Sequence, residues 1–118
     1  MNTMPFVSLK VSVSVDEKSQ QDLLGKISKI IAEGVGKSEK YVMASVESCA
    51  MVMSSLPGDA AFADVRSIGG LSREINRNLS QQICMLIYEM LGIPQDRIYI
   101  NFFDIGRDSW GWNGTTFG

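Results

Sequence analysis

Histidine is missing from this 118-residue chain. That absence removes Ser-His-Asp and Cys-His catalysis, HExxH zinc chemistry and any imidazole proton shuttle, so a reaction here must use another base. Cysteine is nearly absent too: Cys49 and Cys84 form no CxxC pair. The count excludes a disulfide scaffold and a cysteine-built zinc site, and neither metal nor cofactor is expected. No run approaches the ~20 apolar residues that span a bilayer. Lysines and arginines are scattered, the net charge is -2, and no basic stripe suits nucleic acid or an anionic membrane. The start, Met1-Asn2-Thr3-Met4-Pro5, has no basic and apolar leader. The expected address is cytoplasmic, with leaderless secretion as the alternative.

What is present is patterned. Val7, Leu9, Val11, Val13 and Val15 alternate with Ser8, Lys10, Ser12 and Ser14, the period of a half-buried strand over Val7–Val15. Asp16 and Ser19 offer N-cap oxygens. Leu23, Leu24, Ile27, Ile30, Ile31 and Val35 then form a helical stripe ended by Gly34 and Gly36. Tyr41–Glu47 reads as a second strand. The plan repeats: a strand over Phe62–Ile68, a Gly69-Gly70 turn, Ser72 as N-cap, a helical stripe from Ile75 to Met90, and Gly92 with Pro94 as the stop. Arg97–Asp104 alternates as a fourth strand, and Asn113-Gly114 has the chemistry of a tight hairpin turn. Pro57-Gly58-Asp59 marks a turn in the otherwise unreadable stretch from Met51 to Ala61.

Two β-α-β units predict an α/β (α+β) fold: one four-stranded mixed sheet with both helices on one face and right-handed crossovers. The other face carries Ser8, Lys10, Ser12 and Ser14, too polar for a dry core. It either lines a solvent channel within a ring of subunits or lies open to water.

Five segments stand out together: Met4-Pro5-Phe6, Gly36-Lys37, Ser67-Ile68-Gly69, the run Pro94-Gln95-Asp96-Arg97-Ile98-Tyr99-Ile100-Asn101-Phe102-Phe103-Asp104, and the ending Trp110-Gly111-Trp112-Asn113-Gly114-Thr115-Thr116-Phe117. In these segments the chain resembles the macrophage migration inhibitory factor family of the tautomerase superfamily. The resemblance covers Pro5 to the end, a single domain at 5–118 with 1–4 as an extension or alternative start. It implies a homotrimer whose sheets form a central barrel, with sites at the subunit interfaces. It also implies keto–enol tautomerisation of aromatic α-keto acids such as phenylpyruvate and hydroxyphenylpyruvate. Some animal members act as cytokines, so a protein receptor is a second implied partner, and a non-catalytic binding protein is the alternative function.

The family's base is a proline at the chain's first position, here matched by Pro5. A terminal proline is a secondary amine with a usable lone pair; within a chain it is a tertiary amide without one. An α-amino group starts near pKa ~7.7–8.0, and apolar surroundings and a nearby ammonium lower that value. Four residues precede Pro5, so activity requires translation from Met4 with loss of that methionine, or trimming. The resemblance makes Lys37 the residue that depresses the proline and binds the substrate carboxylate; by spacing alone it is a lysine at a helix C-terminus. The resemblance likewise assigns the Ile68 backbone amide to the carboxylate. It places Tyr99 and Asn101 in the site across the subunit interface, Trp112 and Phe117 in an aromatic wall, and Phe6 beside the proline. A CxxC motif carried by some members between the second and third strands is replaced here by Asp59-Ala60-Ala61-Phe62-Ala63-Asp64, which leaves thiol–disulfide chemistry unsupported.

Overall fold

The computed structural model describes residues 4–118. Six strands and two long helices run in the order β1 (Phe6–Val11), α1 (Glu17–Val35), β2 (Met43–Ser48), β3 (Ala61–Ser67), α2 (Arg73–Leu91), β4 (Ile98–Asp104), β5 (Gly111–Trp112) and β6 (Thr115–Thr116). The first four make one mixed sheet ordered β2-β1-β3-β4; β1 is parallel to β2, β3 is parallel to β4, and the central β1–β3 pair is antiparallel. The two parallel pairs are the two β-α-β units expected from the sequence.

The helices start and stop where side-chain chemistry dictates. Asp16 Oδ1 accepts the Ser19 amide at 2.8 Å, and Ser72 Oγ accepts the Ile75 amide at 3.1 Å, each satisfying a donor that an N-terminus leaves orphaned. The first contact holds the Asp16 carboxyl below its usual range. Both helices end on a left-handed glycine, Gly36 at φ +76° and Gly92 at φ +72°, whose amides donate to Ala32 and Tyr88 carbonyls. Gly34 is not a stop; it lies inside α1 against Leu79 of α2.

One face of the sheet builds the core. Val7, Leu9 and Val11 of β1 and Ala61, Ala63 and Val65 of β3 are buried beneath Leu23, Ile27 and Ile31 of α1 and Leu79, Ile83 and Ile87 of α2. Full burial of each large aliphatic side chain is worth about 1.5–3 kcal/mol.

Several boundaries differ from the sequence expectation. The strand expected to reach Val15 ends at Val11 because its partners end: β2 stops at Ser48 and β3 begins at Ala61. Beyond it, Ser12 pairs with Ala60 through its amide (3.0 Å) and its hydroxyl (2.9 Å), and Ser48 Oγ donates to the Val13 carbonyl at 2.8 Å. Tyr41 closes a 3-10 turn over Glu39–Tyr41, and Arg97 closes another over Gln95–Arg97, so β2 and β4 begin later than their apolar patterns. The turn assigned to Pro57-Gly58-Asp59 lies earlier, at Ser54-Ser55 (φ +57° and +59°), bridged by Met53 and Leu56.

The helix-free face is also less polar than Ser8 and Lys10 suggest. The register aligns cross-strand rows on it: Met43–Phe6–Arg66–Phe103, Ser45–Ser8–Asp64–Asn101, and Glu47–Lys10–Phe62–Tyr99. Met43 and Tyr99 are 68% and 64% exposed, so this face presents large apolar groups among its polar ones. Among the described residues no helix is long and apolar enough to cross a membrane, and no cluster of His, Cys, Asp or Glu could hold a metal ion.

Candidate functional site around Pro5

A cavity of about 570 Å³ opens where β1 begins, lined by Met4, Pro5, Phe6, Lys40, Tyr41, Val42, Met43, Arg66, Ile105, Ser109, Trp110, Gly111 and Trp112. Its floor is the start of β1. Pro5 is buried, and its carbonyl accepts the Met43 amide at 3.1 Å, which fixes the proline at the edge of the β1–β2 pairing. Met4, bonded to the Pro5 nitrogen, lines the same cavity.

Three segments supply the walls. The connection from α1 to β2 brings Lys40, Tyr41, Val42 and Met43; its 3-10 turn is capped by Ser38 Oγ, which accepts the Lys40 amide at 3.4 Å. Arg66 comes from β3, directly paired with Phe6. The C-terminal segment folds back to add the tryptophans. There Asn113 (φ +51°) and Gly114 (φ +83°) form the two-residue turn of the β5–β6 hairpin, the primed geometry that matches strand twist. Trp112 and Phe117 stack with ring centroids 5.8 Å apart. The Phe117 amide donates to the Trp110 carbonyl at 3.3 Å, and Arg107 Nε donates to the Phe117 carbonyl at 3.2 Å. These contacts seat both tryptophans at the cavity.

The end of β3 is tied down separately. The Ile105 amide donates to the Ser67 carbonyl at 2.8 Å, Ser67 Oγ donates to the Gly69 carbonyl at 2.7 Å, and the Gly69 amide donates to Asp104 Oδ1 at 3.0 Å. Buried Ile68 sits within this clamp, and Ile105 leaves it to reach the cavity wall.

Of the residues singled out from sequence, Pro5, Phe6 and Trp112 line the cavity of one chain, and Phe117 backs Trp112 by stacking. Ile68 is buried at the end of β3 and does not line it. Lys37 lies one residue beyond the α1 cap, its amide on the Ala32 carbonyl at 2.8 Å, and is not among the lining residues either. Tyr99 and Asn101 project from β4, on the helix-free face, with Tyr99 largely exposed. A single chain therefore brings together only part of the sequence-derived set.

Sequence reasoning missed Lys40, Tyr41, Met43, Arg66 and Trp110. Phe6 is paired with Met43 on one side and Arg66 on the other, so strand register was the signal needed. Lys40 Nζ lies 5.1 Å from the Tyr41 ring centroid and Arg66 Cζ 5.3 Å from that of Phe103, within cation–π range. Among the described residues no aspartate or glutamate lines the cavity. In a chain of net charge -2, this cavity is apolar and cationic, which suits an anion with a hydrophobic body.

Residues 4–118 match the family model for macrophage migration inhibitory factor. The chain is 34% identical over 115 residues to a macrophage migration inhibitory factor homolog of Trichuris trichiura, covering 97% of this chain and all of that one. It is 33% identical over 98 residues to the macrophage migration inhibitory factor of Rattus norvegicus, covering 82% and 85% of the two chains. Among solved structures, a homologue from Prochlorococcus marinus superposes with a TM-score of 0.91 at 38% identity, covering 96% of this chain and 99% of the other. A macrophage migration inhibitory factor-like protein from Entamoeba histolytica gives 0.92 at 28%, covering 97% and 99%. The chain belongs to the macrophage migration inhibitory factor family.

Proposed function

We propose that this protein is a keto–enol tautomerase of aromatic α-keto acids, with the free amine of Pro5 as its general base and acid. The observation that carries the reading is the placement of Pro5 on the floor of a cavity whose walls are aromatic and cationic and, among the described residues, carry no carboxylate. The family match begins at Met4, one residue before the proposed base, which supports a functional chain starting at Pro5.

Breaking the Met4–Pro5 bond turns a tertiary amide into a secondary amine. Because Met4 itself lines the cavity, its removal leaves that amine at the cavity wall. Phe6, Tyr41 and the tryptophans disfavour the protonated amine by desolvation, and the cations disfavour it by like charge. A base that is unprotonated near neutral pH follows. It takes a proton from the carbon next to the substrate carbonyl, and the resulting Pro5 ammonium gives that proton to the enolate oxygen, so the amine is restored; the reverse transfers regenerate the keto form.

Lys37 and the Ile68 amide are proposed to hold the substrate carboxylate, and Trp112 and Phe117 to face its ring. Tyr99 and Asn101 lie on the helix-free face of an edge strand, so they complete the site only if a second copy supplies them; a homotrimer does this and covers exposed Met43 and Tyr99 as well. The test is phenylpyruvate tautomerisation by chains shown by intact mass to begin at Pro5. A rate well above that of buffer is expected. A trimer that adds nothing to the buffer rate favours a receptor-binding protein on the same fold.

A further inference from the structure

We infer that the Pro5 cavity is built for a substrate with a second acidic group, an aromatic keto acid that is a dianion, held at its two ends by Lys40 and Arg66. The inference rests on the tautomerase reading of this cavity and names its substrate class.

The geometry puts one cation on each side of the proposed base. Arg66 belongs to β3 and pairs with Phe6 across one edge of β1. Lys40 precedes β2, whose first residue, Met43, pairs with Phe6 across the other edge. Adjacent strands lie ~4.8 Å apart, so the β2 and β3 backbones are about two such spacings from each other with Pro5 and Phe6 between them. A ligand centred on Pro5 extends toward a positive charge in both directions.

Neither cation is neutralised by the protein. Their acidic neighbours in sequence are Glu39 and Asp64, yet among the described residues neither carboxylate forms an ion pair with them. Each instead rests on an aromatic ring, Lys40 on Tyr41 and Arg66 on Phe103. Such rings hold a cation in place without cancelling its charge. Both are exposed, so a monoanionic substrate draws on the field of one of them and leaves the attraction of the other unused. A flat ring with acidic groups at opposite ends satisfies both. Lys40 shares the α1–β2 connection with Lys37, so it joins Lys37 at the carboxylate next to the reacting carbonyl, and Arg66 takes the distal group.

The molecule carries its own probe. Its two tryptophans, Trp110 and Trp112, both line the cavity, so intrinsic fluorescence reports occupancy without turnover. Titration with benzene-1,4-dicarboxylate should show about tenfold tighter binding than benzoate, equal to about 1.4 kcal/mol. Arg66→Gln should bring that ratio toward one, and Arg66→Lys should restore part of it. Should the Arg66→Gln chain fail to fold, Lys40→Gln is expected to lower the same ratio. Equal binding of the two acids, or a ratio unchanged in folded variants, overturns the inference. A chain that prefers the dianion yet enolises no keto acid keeps the ligand class and overturns the tautomerase reading instead.

Discussion

Two glycines in the same helix should respond oppositely to alanine. A methyl group at Gly34 would meet Leu79: its Cδ2 lies closer than real Cβ contacts allow, and its Cγ lies at 3.1 Å. Leu79 is fully buried in the core, so its end cannot swing aside without displacing neighbours. Overpacking of this kind costs typically 1–3 kcal/mol, and the steric conflict here places Gly34→Ala in the upper half of that range. The helix propensity gained on replacing glycine is at most about 1 kcal/mol. The net expectation is a loss of about 1–2 kcal/mol, a fall in Tm of roughly 4–8 °C for a chain of this size. Gly25 has nothing within 4 Å of its would-be methyl group, so Gly25→Ala should stabilise by up to about 1 kcal/mol. Urea and thermal unfolding at one fixed protein concentration measure both, since self-association shifts apparent stability. Leu79→Ala should also cost less in the Gly34→Ala background than in the parent, because the added methyl fills part of the space. A Gly34→Ala chain as stable as the parent would refute the account of the α1–α2 contact.

Other perturbations follow from single contacts. Asp16 accepts the Ser19 amide, and its carboxyl titrates below the usual range because of that bond. A depressed carboxylate contributes stability above its unfolded pKa and loses it as pH falls through the folded value. Asp16→Ala should therefore lower Tm at neutral pH, and the gap from the parent should close in acid. Arg97 donates Nε to the Asp59 carbonyl at 2.7 Å and its terminal nitrogens to Met53 and Leu56 carbonyls at 3.3 Å each. Arg97→Ala should free the 53–59 loop, seen as faster amide exchange there, at a cost of about 1–2 kcal/mol given the partial exposure of these charge-assisted bonds. Burial pushes the Cys84 thiol up, so alkylation of Cys84 should be slower than that of a free thiol at pH 8, as peptide mass mapping would show.

The fold was largely legible because its signals are local. Asp16, Ser72, Gly36 and Gly92 punctuate the helices within a few residues of sequence, and the apolar stripe of α1 names its buried face directly. Alternation was less reliable as a guide to strand length. Val13 and Val15 continue the period of β1 after its partners have ended, since period two reports burial and carries no information about pairing. The same limit applies to the helix-free face. Ser8 and Lys10 suggested a polar surface, but Phe6, Phe62, Tyr99 and Phe103 join them only through register. The cavity was half legible: Pro5, Phe6 and Trp112 came from motif resemblance. Lys40 and Arg66, 26 positions apart in sequence, meet around Phe6 only when β1, β2 and β3 are aligned. Lys37, Tyr99 and Asn101 were named from the family, and none of them lines the Pro5 cavity of one chain.

In the proposed reaction the Pro5 nitrogen does the chemistry. Two preparations of the same chain, one beginning at Pro5 and one retaining Met4, should be compared for phenylpyruvate tautomerisation after intact mass fixes each terminus. Catalysis is expected from the first and a rate no greater than buffer from the second, whose proline is an amide. Equal rates from the two would contradict it and move the base elsewhere in the cavity.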